Sequence, residues 1–366
     1  MSLPVRPSFE LNTHSMTSLS PRGLEEWDEL ARVCRQPLAG ASLLTVWLDA
    51  TARLQDSVLI EVRFDGNLIA ALPLTRRRGT RWGWPRRVVT PATTLDLPTL
   101  DPLLIMPTRG SRGPQASVVL DALVHAAMSW AANDALVFDG LGPESPLTRA
   151  LEREGFRRGT PHQRQPSRTA AQIDLSDGFE SMTSRCSLAR QRAVAAWRNA
   201  HERSAFEICE VREIDSARAS VIEVLQIAKR SPAAAAGRSL ACSAATRQFV
   251  RTALLAGAVN GSMTLQLLRI DGRAEAFAWF VVGGGHSFRL ASAACDGKNA
   301  FDLSGPLAAE GLRRFAARGI RQVFWCDELS GADTGWVFER PAAVSLKIGS
   351  SSPLSWLGGN LSLGES

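Results

Sequence analysis

The sequence predicts an α/β (α+β) chain of two domains alike in architecture, and three observations predict it. Strand and helix signals alternate between a polar start and a Gly- and Ser-rich end. A hairpin signal occurs twice. Residues 58–74, VLIEVRFDGNLIAALPL, turn at Asp65-Gly66, and residues 263–282, MTLQLLRIDGRAEAFAWFVV, turn at Asp271-Gly272. The same continuation then follows each hairpin. Residues 123–133 read as a helix leading into the strand ALVFDGL, and residues 307–318 as a helix leading into IRQVFWCDEL. Two echoes in one order argue for duplication and divergence.

Taken in order, residues 1–20 read as a flexible lead, 21–165 as the first domain, 166–349 as the second and 350–366 as a loose tail. The polar stretch GTPHQRQPSRTA, residues 159–170, suits a linker. A strand is expected at 171–175, then a basic helix at 184–203, SRCSLARQRAVAAWRNAHER. Within it Arg185, Arg190 and Trp197 are the substrate-binding candidates, because clustered arginines beside an indole suit an anionic partner. A solvated helix face accounts equally for most of these arginines.

Composition narrows the class. A chain of 366 residues with 45% hydrophobic content can bury two cores, and no run approaches the roughly 18 to 20 apolar residues of a membrane span. Six cysteines lie scattered without a C-x-x-C or a histidine cluster, so no metal site and no disulfide framework is expected, and a reducing cytoplasm suits them. The net charge of +6 comes from arginine, since lysine occurs only at Lys229, Lys298 and Lys347. Arginine admits CoA, nucleotide sugars or RNA as partners, and a codon bias explains the same excess. Tyrosine is absent, which removes one common catalytic acid.

The segment 287–314, SFRLASAACDGKNAFDLSGPLAAEGLRR, reads as strand, polar loop and helix. Ser304 is a candidate N-cap and Pro306 suits the first turn. Unpaired N–H groups at such a helix start favour a pyrophosphate, with Gly305 permitting close approach and Lys298 and Asn299 adding a charge and an amide.

The order of elements in residues 263–329, with LIAALPLTRRR in the first half and SLARQRAVAAWRNAHER at the centre, resembles the CelD-like acetyltransferases, grouped with GNAT and Fem-like tandem acyltransferases. The likeness covers roughly residues 47–338. It implies tandem GNAT-like acyl-CoA N-acyltransferase domains, each a mixed sheet flanked by helices, with acetyl-CoA or another acyl-CoA held by the second. Gly297, Lys298, Asn299, Ser304 and Gly305 would then lie at the donor's pyrophosphate, and the strand with Phe280 and Val282 would offer backbone groups to the pantetheine arm. The chain departs from the family pattern in having Asp296-Gly297-Lys298-Asn299 where a glycine-rich loop is usual, and Phe288 where tyrosine is common.

Acyl transfer to an amine or hydroxyl needs a group to take the acceptor's proton. Glu275, Asp296, Asp327 and His286 are the candidates, although strand alternation, a glycine turn or a loop cap accounts for each as well. Cys295 and Cys326 read as buried strand residues, which favours direct transfer over a covalent intermediate. Three functions stay open: an acyl-CoA-dependent transferase acting on a small-molecule or saccharide acceptor, a Fem-like transferase taking an aminoacyl group from tRNA, and a non-catalytic module of the same fold.

Overall fold

The computed structural model describes residues 9–81, 84–97, 103–106, 114–132, 134–202, 206–295, 303–327, 333, 335–336 and 338–349. The first half supplies β1 (Phe9–Ser15), α1 (Pro21–Val33), α2 (Ala41–Ala50), β2 (Ser57–Phe64), β3 (Asn67–Arg81) and β4 (Trp84–Pro91). It continues with β5 (Leu104–Ile105), α3 (Ala116–Trp130), β6 (Ala135–Leu141), α4 (Pro146–Arg157) and β7 (His162–Pro166). The second half begins with β8 (Ala171–Asp174), α5 (Phe179–Ser184), α6 (Leu188–Glu202), β9 (Glu207–Val211), α7 (Ile214–Arg230) and α8 (Pro232–Ala235). It ends with α9 (Ala244–Val259), β10 (Met263–Ile270), β11 (Arg273–Gly283), β12 (His286–Ala294), α10 (Ser304–Ala317), β13 (Gln322–Trp325) and β14 (Val344–Ile348).

These strands form two mixed sheets flanked by helices. One has the order β1-β2-β3-β4-β6-β14-β7 with β5 beside β3, and the other the order β8-β13-β12-β11-β10-β9. The duplication is legible down to single residues. Asp65 and Asp271 both have φ of 50°, and Gly66 and Gly272 follow at 79° and 75°, as a two-residue hairpin turn of matching twist requires. Each hairpin carries a bulge just before its turn, at Val62/Arg63 and at Leu268/Arg269. Each bulged arginine then folds back onto its turn, Arg63 donating to the Gly66 carbonyl at 3.0 Å and Arg269 to that of Gly272 at 3.1 Å. Beyond the hairpins, β4 runs parallel to β6 and β12 parallel to β13.

The halves also exchange strands, which redraws the expected boundaries. β1 lies within the expected flexible lead, yet it pairs with β2 along its whole length, from Phe9↔Phe64 to Ser15↔Val58. The expected linker contains β7, and β14 leaves the second half to sit between β6 and β7 in the first sheet. The expected helix at 184–203 is two helices, broken between Ser184 and Leu188. The tail from residue 350 lies outside the described residues.

One apolar core crosses between the halves. Leu38, Leu43 and Trp47 of the first pack with Phe249, Leu254 and Trp279 of the second, and the Trp47 ring meets Phe249 edge-on at 5.4 Å. Each such buried side chain contributes about 1.5–3 kcal/mol, so the halves hold each other in place. No described helix is long and apolar enough to cross a membrane.

Candidate functional site

The opening that matters lies where β12 and β13 part. The two strands pair from His286↔Gln322 to Arg289↔Trp325, and the Cys326 N–H closes the ladder on the Arg289 carbonyl at 3.1 Å. From there β12 runs on to Ala294 without β13 beside it. Ligands in α/β sheets favour such a crevice at the carboxyl ends of parallel strands. Across this notch the Ser292 hydroxyl donates to Asp327 Oδ2 at 2.9 Å.

Beneath it sits a charged network in an otherwise apolar sheet. Arg289 is 3% exposed and donates through Nε to Asp327 Oδ1 at 2.7 Å and through both terminal nitrogens to Asp333, at 3.0 and 3.2 Å. Its guanidinium lies 3.8 Å from the centre of the Trp325 ring. Two carboxylates share one guanidinium, so one negative charge is left over. Burial pushes the Asp327 carboxyl above the usual range, with Asp333 adding repulsion and Arg289 and Ser292 pulling the other way. A carboxylate raised in this way and opening on a crevice is suited to accept a proton.

A run of aromatic rings and arginines connects the network to the start of α10. Trp325 meets Trp336 edge-on at 6.5 Å, and Arg190 lies 4.9 Å from the Trp336 ring and 5.2 Å from that of Trp197. Trp197 in turn covers Gly305 so closely that a β-carbon there would collide with its ring. Arg190, Trp197 and Gly305 therefore join Asp327 on one face of the sheet.

Other expected site residues fall elsewhere, and three expectations need correction. Phe280 and Val282 lie on β11, which is paired with β10 on one side and β12 on the other, so its backbone groups are already spent. The strand with a free edge is β12 beyond Arg289. Ser304 is the first helical residue of α10 rather than its cap, since Leu303 precedes it with φ −69° and ψ −18°. Gly305 is not open to a ligand, because the Trp197 ring fills the space that its missing side chain leaves.

His286 starts β12, about 20 Å from Ser292 at strand rise, against Phe324 and Phe288. The glycine turn before it packs on Arg35 and Pro37 of the first half. Burial and the Arg35 charge lower its pKa. Glu275 is held by Arg273 at 3.1 Å and Arg230 at 3.6 Å, on the side of the sheet that faces α7. Arg185 is exposed and donates to the Asp174 carbonyl at 3.1 Å, away from the notch. Asp296, Gly297, Lys298 and Asn299 lie outside the described residues.

Arg289, Ser292 and Asp333 went unnoticed in the sequence. A signal was present for the first, a lone arginine among small and apolar strand residues in SFRLASAA. For Asp333 there was none, because it reaches Arg289 from a separate loop. The cysteines stay protonated: burial and Glu275 push the Cys295 thiol up to about 11, and burial raises Cys326 as well. Among the described residues no group of His, Cys, Asp or Glu side chains could hold a metal ion.

No protein-family model matches the chain, and no curated protein matches it in sequence. Solved structures match it in fold. FemX superposes with a TM-score of 0.60 at 11% identity, over 91% of this chain and 98% of the other. The C-terminal domain of a putative lysylphosphatidylglycerol synthetase from Agrobacterium fabrum gives 0.55 at 12% identity, over 91% and 93%. L-PGS from Bacillus licheniformis gives 0.52 at 14%, over 92% and 93%. The fold is thus a tandem of GNAT-like domains, the class to which acyltransferases belong.

Proposed function

We propose that the second half is an acyltransferase centre, working by direct transfer from a bound donor to an amine or hydroxyl acceptor at the β12/β13 notch. The observation that carries this reading is Asp327, raised in pKa by burial, oriented by Arg289 and facing the opening with Ser292. The acceptor's nitrogen or oxygen attacks the donor's acyl carbon while its proton passes to Asp327. The C–N or C–O bond forms, the bond to the leaving group breaks, and the leaving group takes up a proton from water. The free edge of β12 beyond Arg289 supplies backbone groups along which an extended donor arm can lie. The resting thiols, held protonated, suit direct transfer rather than an acyl-cysteine.

Within this class the resemblance to CelD-like proteins favours acetyl-CoA or another acyl-CoA as donor and a small-molecule or saccharide acceptor. The second reading is aminoacyl transfer from tRNA. The fold likeness to FemX and to proteins named lysylphosphatidylglycerol synthetase favours it, as does the covering of Gly305 by Trp197, which narrows the expected pyrophosphate site.

The test is Asp327→Asn assayed with acetyl-CoA and with aminoacyl-tRNA. Loss of a general base lowers turnover by about 10²–10⁴-fold, with the melting temperature little changed, for whichever donor is used. Unchanged turnover removes Asp327 from the chemistry.

A further inference from the structure

A groove of about 840 Å³ lies between α7, α8 and α9, on the opposite side of the sheet from α10. Its size is within the usual range for small-molecule sites. Four cations line it, Lys229 and Arg230 from α7 and Arg247 and Arg251 from α9, over an apolar wall that includes Leu225 and the exposed Ile222. No carboxylate stands among its described lining residues. Arg230 alone has an acidic neighbour, Glu275 at 3.6 Å, and Arg247 donates only to the Ala241 carbonyl, at 2.7 Å. Lys229 and Arg251 make no ion pair among the described residues.

Local electrostatics oppose this arrangement in the absence of a ligand. Arg247 and Arg251 are four residues apart on α9, where like charges repel by a few tenths of a kcal/mol. Arg247 also sits near the N-terminus of α9, the end at which the helix dipole disfavours a cation. Lys229 and Arg230 at the end of α7 suit that helix's dipole, but they face the other two cations across the groove. An anion between the two helices converts each of these repulsions into attraction.

The groove's position ties it to the notch. Glu275, which touches Arg230, accepts at its carbonyl from the Cys295 N–H at 2.8 Å, immediately after the end of β12. The groove thus opens at the same end of β12 as Ser292 and Asp327.

We propose that this groove binds an anionic group of the acceptor, a phosphate or a carboxylate, with an adjoining apolar portion lying on Leu225 and Ile222. Its assignment to the acceptor rests on the acyl-transfer reading, whereas the anion site itself does not. Inorganic phosphate is the first probe. It should raise the melting temperature of the full chain, less so at high salt, and the Lys229→Gln/Arg251→Gln variant should bind phosphate at least tenfold more weakly. Without phosphate that variant should melt at or above the parent, because repulsion has been removed and no ion pair lost.

Vesicles of phosphatidylcholine with and without phosphatidylglycerol separate the sources. Sedimentation with the anionic vesicles, lost in the double variant, identifies a lipid headgroup. Phosphate binding without sedimentation identifies a soluble acceptor. Equal phosphate protection of parent and variant, no protection of either, or a variant that melts lower overturns the proposal. Phosphate binding requires no turnover, so Asp327→Asn should bind it as the parent does. A failure in the groove therefore leaves the acyl-transfer reading standing, and an active Asp327→Asn variant leaves the anion site standing.

Discussion

The parallel pair β4/β6 in the first half and the pair β12/β13 in the second occupy matching places after matching hairpins, and they are filled differently. Around the first pair the buried residues are Val89, Leu136 and Phe138, packed with Leu123 and Val124 of α3. Around the second are Arg289, Asp327 and Asp333, with Ser292 at the opening. Burying charge costs far more than burying a leucine unless every partner is in place. A network kept in only one of two duplicated sites is therefore the mark of chemistry there, and the first half contributes support through the shared core around Trp47 and Phe249.

The largest effect expected from this contrast is at Arg289. Arg289→Ala leaves Asp327 and Asp333 facing each other without a cation, and urea unfolding should show a loss of about 3–5 kcal/mol. A loss below about 1 kcal/mol, the level of exposed ion pairs, means that the carboxylates are solvated and the two halves are less different than they look. A smaller effect is expected at Gly305. Gly305→Val forces the Trp197 ring away from the helix start, and overpacking of this kind costs about 1–3 kcal/mol. Calorimetry should show a lowered melting temperature. An unchanged one means that the ring swings aside freely and the aromatic run from Trp325 to Gly305 is loose.

Much of the architecture was legible because short-range chemistry dictates it. An Asp-Gly pair between alternating apolar runs has few alternatives to a tight hairpin, and both copies fold so. The strand exchange was not legible: β14 pairs with β6 and β7, which lie far from it in sequence, and nothing local in VSLKI says so. The site shows the same division. Asp327 stood out as an acid at a strand end, but its value depends on Arg289 and on Asp333, which approaches from a loop after the strand. Gly305 read as an opening for a ligand because a sequence does not show that an indole ring from α6 already fills it.

The central claim, that the second parallel pair carries the chemistry and the first does not, is tested most directly by amide hydrogen exchange with donor present. Acetyl-CoA and aminoacyl-tRNA, added in turn, should leave β4 and β6 unchanged, while one of them slows exchange along β12 beyond Arg289 and at Cys326 and Asp327. Protection confined to β4 and β6, or no protection at β12 with either donor, contradicts the account.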